Sequence, residues 1–202
     1  MIAIIDYDAG NIKSVEKAIS FRGAEPLTTR DPEEIRKASH VILPGVGAFG
    51  DAMEKLKTYG LIPVIKETAE SGKPFLGICL GEQLLFEGSE ESPGAEGLSI
   101  LKGKVLKFQA VDGLKVPNIG WNSIELHNNG RLFKGVPEGA FFYFVHSYYV
   151  RAEEKEIVTA TIEYGVTADV SVEKGNIFAT QFHPEKSSEM GMKVLDNFLA
   201  VR

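Results

Sequence analysis

The sequence predicts a single α/β domain with a mostly parallel, partly mixed central sheet flanked by helices and a β-rich second half. Three observations carry this. Short continuous apolar runs such as Ile2-Ala3-Ile4-Ile5 are what a strand covered on both faces requires. From Met1 to Gly81 those runs alternate with stretches of helical period, the pattern of right-handed crossovers in a parallel sheet. Beyond Leu101 strand signals dominate.

Each element has its own reason. Ile2–Ile5 is the first strand. After the turn-like Asp8-Ala9-Gly10-Asn11, residues Ile12, Val15, Ala18 and Ile19 fall on one helical stripe, which Gly23 closes. Pro26-Leu27-Thr28-Thr29 reads as a second strand. Asp31-Pro32-Glu33-Glu34 supplies an N-cap, a proline at the first helical position and acids in the first turn. Val41-Ile42-Leu43 is a third strand, stopped by Pro44-Gly45. Leu61, Val64, Ile65 and Thr68 form a helical stripe ending at Gly72, and Pro74–Ile78 is a fourth strand. Further on, Lys104–Phe108, Ala140–Val145, Ile157–Ile162 and Asn176–Thr180 favour β structure, and Val170-Ser171-Val172 alternates. A last helix starts at about Glu189, with Met190, Val194, Leu195, Phe198 and Leu199 on one side. No repeat, low-complexity stretch or linker divides residues 1–202, so one domain is expected.

Composition narrows the function. Apolar residues make up 44% and charged residues 25%, an ordinary globular balance that excludes disorder, collagen and coiled coil. A net charge of −6 with no basic block argues against nucleic-acid or anionic-membrane binding. One cysteine cannot build an internal disulfide framework and fits a reducing compartment. No apolar run approaches the roughly 20 residues of a membrane span. Met1 opens onto a strand-like run and not onto a basic n-region. A soluble cytoplasmic protein is expected.

In folds of this class, sites lie beyond the carboxyl ends of the strands, which singles out Asp6–Asn11, Pro44–Gly50 and Cys79–Gly81. The sharpest local feature is Gly77-Ile78-Cys79-Leu80-Gly81, a nucleophile elbow with cysteine in place of serine. The turn needs glycines on both sides because larger side chains would strike the tightly folded backbone. It leaves the sulfur at a helix N-terminus, where the dipole favours thiolate. The Leu80 N–H would point toward an oxyanion on an attacked carbonyl. A lone cysteine is otherwise most often a small buried hydrophobe.

A thiolate nucleophile needs a base, and the base an orienter. Of the four histidines, His40 precedes a strand and His127 lies in a polar turn, so both read as surface residues. His183-Pro184-Glu185 follows an apolar strand; Pro184 holds His183 extended, and residues two apart on extended chain point the same way. Glu185 is thus placed to fix the imidazole tautomer and leave its other nitrogen for the thiol proton. The acidic run Glu87–Glu91 reads as a solvated helix end.

Taken together, Gly77–Gly81 and His183–Glu185 resemble the class I, triad-type glutamine amidotransferases, over nearly the whole chain. Within that family, Asp6–Asn11, Pro44–Gly50, Asn118–Asn122, Tyr143–Tyr148 and Phe182–Ser187 look like one branch. Its members are glutaminase subunits that feed ammonia to a separate (β/α)8 cyclase in histidine biosynthesis. The cyclase makes imidazole glycerol phosphate and an aminoimidazole carboxamide ribotide.

The resemblance implies that glutamine is attacked by Cys79, giving a thioester and ammonia, with His183 as base and then acid and Glu185 as its orienter. It places Val46, Gly47 and Leu80 at the oxyanion site, and Gln83, Glu91, His146, Ser147 and Tyr148 around the substrate. It calls for a heterodimer with the cyclase and for no metal or other cofactor. Glu91 also suits a zwitterionic ligand, whose ammonium needs a carboxylate. Asn11, Trp121 and Lys186 read as partner-facing, although a lone tryptophan is as often packed in a core.

One position departs from the family's pattern: Glu82 stands where an apolar residue is usual. Facing inward, its acid would raise the thiol pKa; facing outward, it would complement the helix N-terminus. Two other readings compete. A glutaminase of anthranilate or pyridoxal phosphate synthesis is disfavoured by Asp8–Asn11 and Gly120–Asn122, and a non-catalytic subunit of the same fold by the intact Cys79, His183 and Glu185.

Overall fold

Alternate side chains of β1 (Ile2–Ile5) enter two different cores, and this sets the architecture. A computed structural model describes residues 1–110 and 113–202. The first half runs β1, α1 (Ile12–Phe21), β2 (Pro26–Thr29), α2 (Pro32–Lys37), β3 (His40–Leu43), α3 (Phe49–Thr58), α4 (Ile62–Glu70), β4 (Phe75–Ile78) and α5 (Leu80–Leu84). The second half runs β5 (Gly103–Lys107), β6 (Asn118–Ser123), β7 (Glu125–Leu126), β8 (Phe141–His146), β9 (Tyr148–Ala152), β10 (Val158–Glu163), β11 (Thr167–Lys174), β12 (Ile177–Thr180) and α6 (Ser188–Leu199).

Strands β2, β1, β3, β4 and β12 lie side by side and parallel. From β12 the sheet continues antiparallel through β11, β10 and β7, with β9 joining on β11 and β5 on β9, while β6 and β8 form a separate ribbon. Ala3, Ile5, Val41, Leu43 and Phe75 face one core, shared with α2 to α5. Ile2, Ile4, Ile42, Leu76 and Ile78 face the other, covered by Val15 and Ile19 of α1 and Val194 and Phe198 of α6. Each of the Ile, Val, Leu and Phe side chains contributes roughly 1.5–3 kcal/mol by leaving water, so strands apolar on both faces are stable only under helices on both sides.

The predicted elements of the first half are present at close to the expected bounds, and Asp31 caps α2 through Glu33 N. Helix α3 was not anticipated, yet its buried Phe49, Ala52, Met53 and Leu56 have helical spacing. Two expectations are corrected. His40 is buried: its ring contacts Val201 O at 3.1 Å and stands edge-on to Phe198, and burial lowers its pKa. Glu87, Glu90 and Glu91 are no solvated helix end; each accepts a backbone N–H, from Gly103, Lys107 and Phe49 respectively, at 2.8–2.9 Å. Among the described residues no helix is long and apolar enough to cross a membrane.

Candidate active site

The site begins where β4 ends. Cys79 has φ 56° and ψ −110°, a conformation that costs a non-glycine residue on the order of 1–3 kcal/mol. The parallel neighbours impose it: Cys79 N donates to Thr180 O at 2.7 Å on one side. On the other, a Cβ at Gly81 would sit 1.8 Å from Leu43 O, and one at Gly77 would sit 2.7 Å from Gly81 O. Both elbow glycines are therefore required by close backbone approach. Cys79 O accepts from Glu82 N and Gln83 N, so the cysteine is itself the N-cap of α5 and its thiol stands at the helix start.

His183 arrives from β12 in extended conformation and is clamped by its backbone, N to Tyr143 O at 3.1 Å and O from Ser187 Oγ at 2.7 Å. Its Nδ1 lies 2.7 Å from Glu185 Oε1. A carboxylate partner requires the proton on Nδ1, which leaves Nε2 for the sulfur. Nε2 is buried and makes no hydrogen bond of ordinary length; Cys79 is its neighbour in longer reach. Burial pulls the His183 pKa down, but bonds to Cys79 and Glu185 and the charges of both outweigh it and raise the pKa to about 9. Asn11, expected at a partner surface, is half-buried and donates from Nδ2 to the same Glu185 Oε1. That contact was not anticipated, although an asparagine able to hold φ 70° in the Asp8–Asn11 turn was a signal.

A cavity of about 460 Å³ opens in front of Cys79. Val46, Gly47, Leu80, Gln83, Glu91, His146, Ser147, Tyr148 and Lys186 all line it. A larger hollow of about 950 Å³ between Arg151, Lys155 and Asp169 lies away from the cysteine. Glu91 spends Oε2 on the N-terminus of α3, and among the described residues no bond engages its Oε1. His146 donates from Nδ1 to Tyr148 O at 2.8 Å and accepts from Asn118 Nδ2 at 3.1 Å on Nε2. Burial, reinforced by the His183 charge and opposed by the Tyr148 bond, lowers its pKa to about 4, so it is a neutral wall and no base. Trp121 is 48% exposed on β6, outside the cavity, and not packed in a core.

Three further features surround Cys79, and of these the inward-facing Glu82 is one of the two readings the sequence allows. The Leu80 N–H is not aimed at free space: it donates to Gly45 O at 3.2 Å. Glu82 faces inward and is fully buried, with both carboxyl oxygens unpartnered. Burial first, then the charges of Cys79 and Asp169, raises its pKa well above the usual carboxylate range. Gln181 is also fully buried, 3.7 Å from Cys79 Sγ through Nε2; the signal was an amide side chain set between Thr180 and Phe182 at the end of a buried strand.

An elbow cysteine backed by a His–Glu pair on a sheet of this topology defines a class of protein. The chain belongs to the class-I glutamine amidotransferases, whose family model matches residues 3–201. It is 54% identical over 197 residues to the imidazole glycerol phosphate synthase subunit HisH of Moorella thermoacetica, covering 98% of this chain and 93% of that one. The subunit of the same name from Methanosarcina mazei is 50% identical, covering 98% and 97%. In fold, a glutamine amidotransferase crystal structure superposes with a TM-score of 0.75 at 20% identity, covering 98% and 97%.

Proposed function

We propose that residues 1–202 form one glutaminase domain, the ammonia-producing subunit of an imidazole glycerol phosphate synthase. The reading is supported most by one observation: the strained Cys79 at φ 56° faces the cavity, and His183 beside it is held by Glu185, Nδ1 to Oε1, at 2.7 Å. In this reading the Cys79 thiolate attacks the glutamine side-chain amide carbon, and the C=O electron pair moves to oxygen. Collapse of the tetrahedral oxyanion expels ammonia, with His183 supplying the proton, and leaves a γ-glutamyl thioester. Water, deprotonated by His183, then releases glutamate and restores the thiol. Glu185 keeps the imidazole in the required tautomer and stabilises its charged form.

Glu91 Oε1 suits the substrate ammonium, and Gln83, His146, Ser147 and Tyr148 line the same cavity. Val46, Gly47 and Leu80 stand where the oxyanion forms. The partner is a (β/α)8 cyclase subunit. Exposed Trp121, Ile119, Phe141 and Val46, with Lys186 at the cavity rim and Asn11 at Glu185, supply a surface for it. The cytoplasm, where a single cysteine stays reduced, is its compartment. Glutamate release by the chain mixed with a cyclase subunit and its ribonucleotide ligand tests this; no release with the wild-type pair would reject it.

A further inference from the structure

We propose that Gln181 is a positioning residue that joins the nucleophile to the ligand-facing wall: its Nε2 holds the Cys79 sulfur and favours the ionised form, and its Oε1 fixes which end of Gln83 faces the cavity. Gln181 follows β12 and has no exposed surface. A buried amide costs free energy unless its polar atoms are satisfied, so where those atoms are spent is informative. The ladder has no need of them, because the Gln181 backbone N already donates to Val170 O at 2.9 Å. The side chain spends both ends on the site. Nε2 donates to Cys79 Sγ at 3.7 Å, and Oε1 accepts from Gln83 Nε2 at 2.8 Å.

The consequence for Gln83 follows from donor counting. Its Nε2 also donates to Tyr148 O at 3.2 Å, so the nitrogen's two N–H groups are both committed. Oε1 is left as the uncommitted polar atom of a side chain that lines the cavity. Gln181 thus makes Gln83 present an acceptor, suited to an N–H of the ligand. The consequence for Cys79 is that an N–H aimed at sulfur stabilises thiolate more than thiol. One neutral side chain therefore couples nucleophile ionisation to ligand orientation without placing a second charge beside His183.

The substrate part of this rests on the glutaminase reading; the thiol part rests on geometry alone, and the experiment separates them. The chain has a single cysteine, so iodoacetamide uptake against pH reports Cys79 only. Gln181→Met removes both bonds, while Gln181→Glu keeps an acceptor for Gln83. Expected is an alkylation midpoint about one pH unit higher in both variants. Glutamine KM should rise about tenfold in Gln181→Met and stay near wild type in Gln181→Glu. In the wild-type chain, the Gln181 side-chain amide resonances should move with the midpoint of Cys79 alkylation, a readout that needs no variant to fold. Amide resonances indifferent to thiol ionisation, or a folded Gln181→Met with the wild-type profile, would overturn the proposal. A shifted profile in a chain with no glutamine turnover would keep the positioning role and remove the glutaminase.

Discussion

The backbone N–H of Leu80 donates to the carbonyl of Gly45 at 3.2 Å, so the donor next to Cys79 is already engaged. Oxyanion stabilisation needs that N–H aimed at the developing charge, and losing one such donor costs roughly 10²–10³ in turnover. The Gly45 carbonyl belongs to a segment held by Tyr7 Oη on Pro44 O at 2.8 Å and followed by Gly47 at φ 109°, a conformation open to glycine. Rotation of the peptide after Gly45 would free Leu80 N. The isolated chain should therefore hydrolyse glutamine slowly, and the ligand-loaded cyclase should raise kcat more than it lowers KM. Steady-state kinetics with and without partner decide it; full turnover in the isolated chain would show that the Gly45 contact is no barrier.

Cys79→Ser should abolish glutamine hydrolysis, because a hydroxyl is a far weaker nucleophile in a site arranged for thiolate. The complex should still form product from added ammonium salts, since that route bypasses the triad. Product formation from glutamine near the wild-type rate in the variant would remove Cys79 from the mechanism.

Glu82→Met should stabilise the fold by roughly 1–3 kcal/mol, since it replaces a fully buried carboxyl lacking hydrogen bonds with an apolar side chain. The pH dependence has a definite sign. The folded-state pKa lies above the unfolded value, so the folded chain holds this proton more tightly, and wild-type stability falls as pH rises above the ordinary carboxylate range. Urea midpoints of the two proteins should therefore separate further as pH increases from acid to neutral. A constant gap across that range would mean Glu82 is ionised in the folded state.

How far the sequence announces this site depends on the range of the forces involved. The Cys79 elbow was legible because its demands are local: two glycines, a strand before and a helix after. The His183–Glu185 pair was legible because Pro184 fixes the chain between them. Asn11 lies 174 positions from Glu185, and nothing periodic records that contact. Gln181 was hidden for the same reason, its partners being Gln83 and Cys79 across the sheet. Strands β6 and β9 escaped because their pairings with β8, and with β5 and β11, replace the apolar alternation that marks the others. Glu87–Glu91 misled because acids in a run are usually solvated, whereas here they bind backbone N–H groups of distant elements.

Glu185→Gln tests the electrostatics behind the raised pKa of His183. Burial alone would lower that pKa; the Cys79 and Glu185 interactions raise it from 6.5 to about 9. A base whose folded pKa exceeds its unfolded value adds stability in full below the unfolded pKa and loses it as pH rises through the folded one. The interaction should be fully present at pH 6 and largely absent above pH 9. Glutamine at position 185 keeps a hydrogen-bond acceptor for Nδ1 but carries no charge, so the buried imidazolium keeps only its interaction with Cys79. Breaking such a pair costs roughly 3–5 kcal/mol. Urea unfolding of wild type and Glu185→Gln should differ by about that amount at pH 6, and the difference should shrink to the value of a neutral hydrogen bond, about 1 kcal/mol, by pH 10. An equal difference at both pH values would mean that His183 is neutral throughout, and that Glu185 acts on it only by fixing its tautomer.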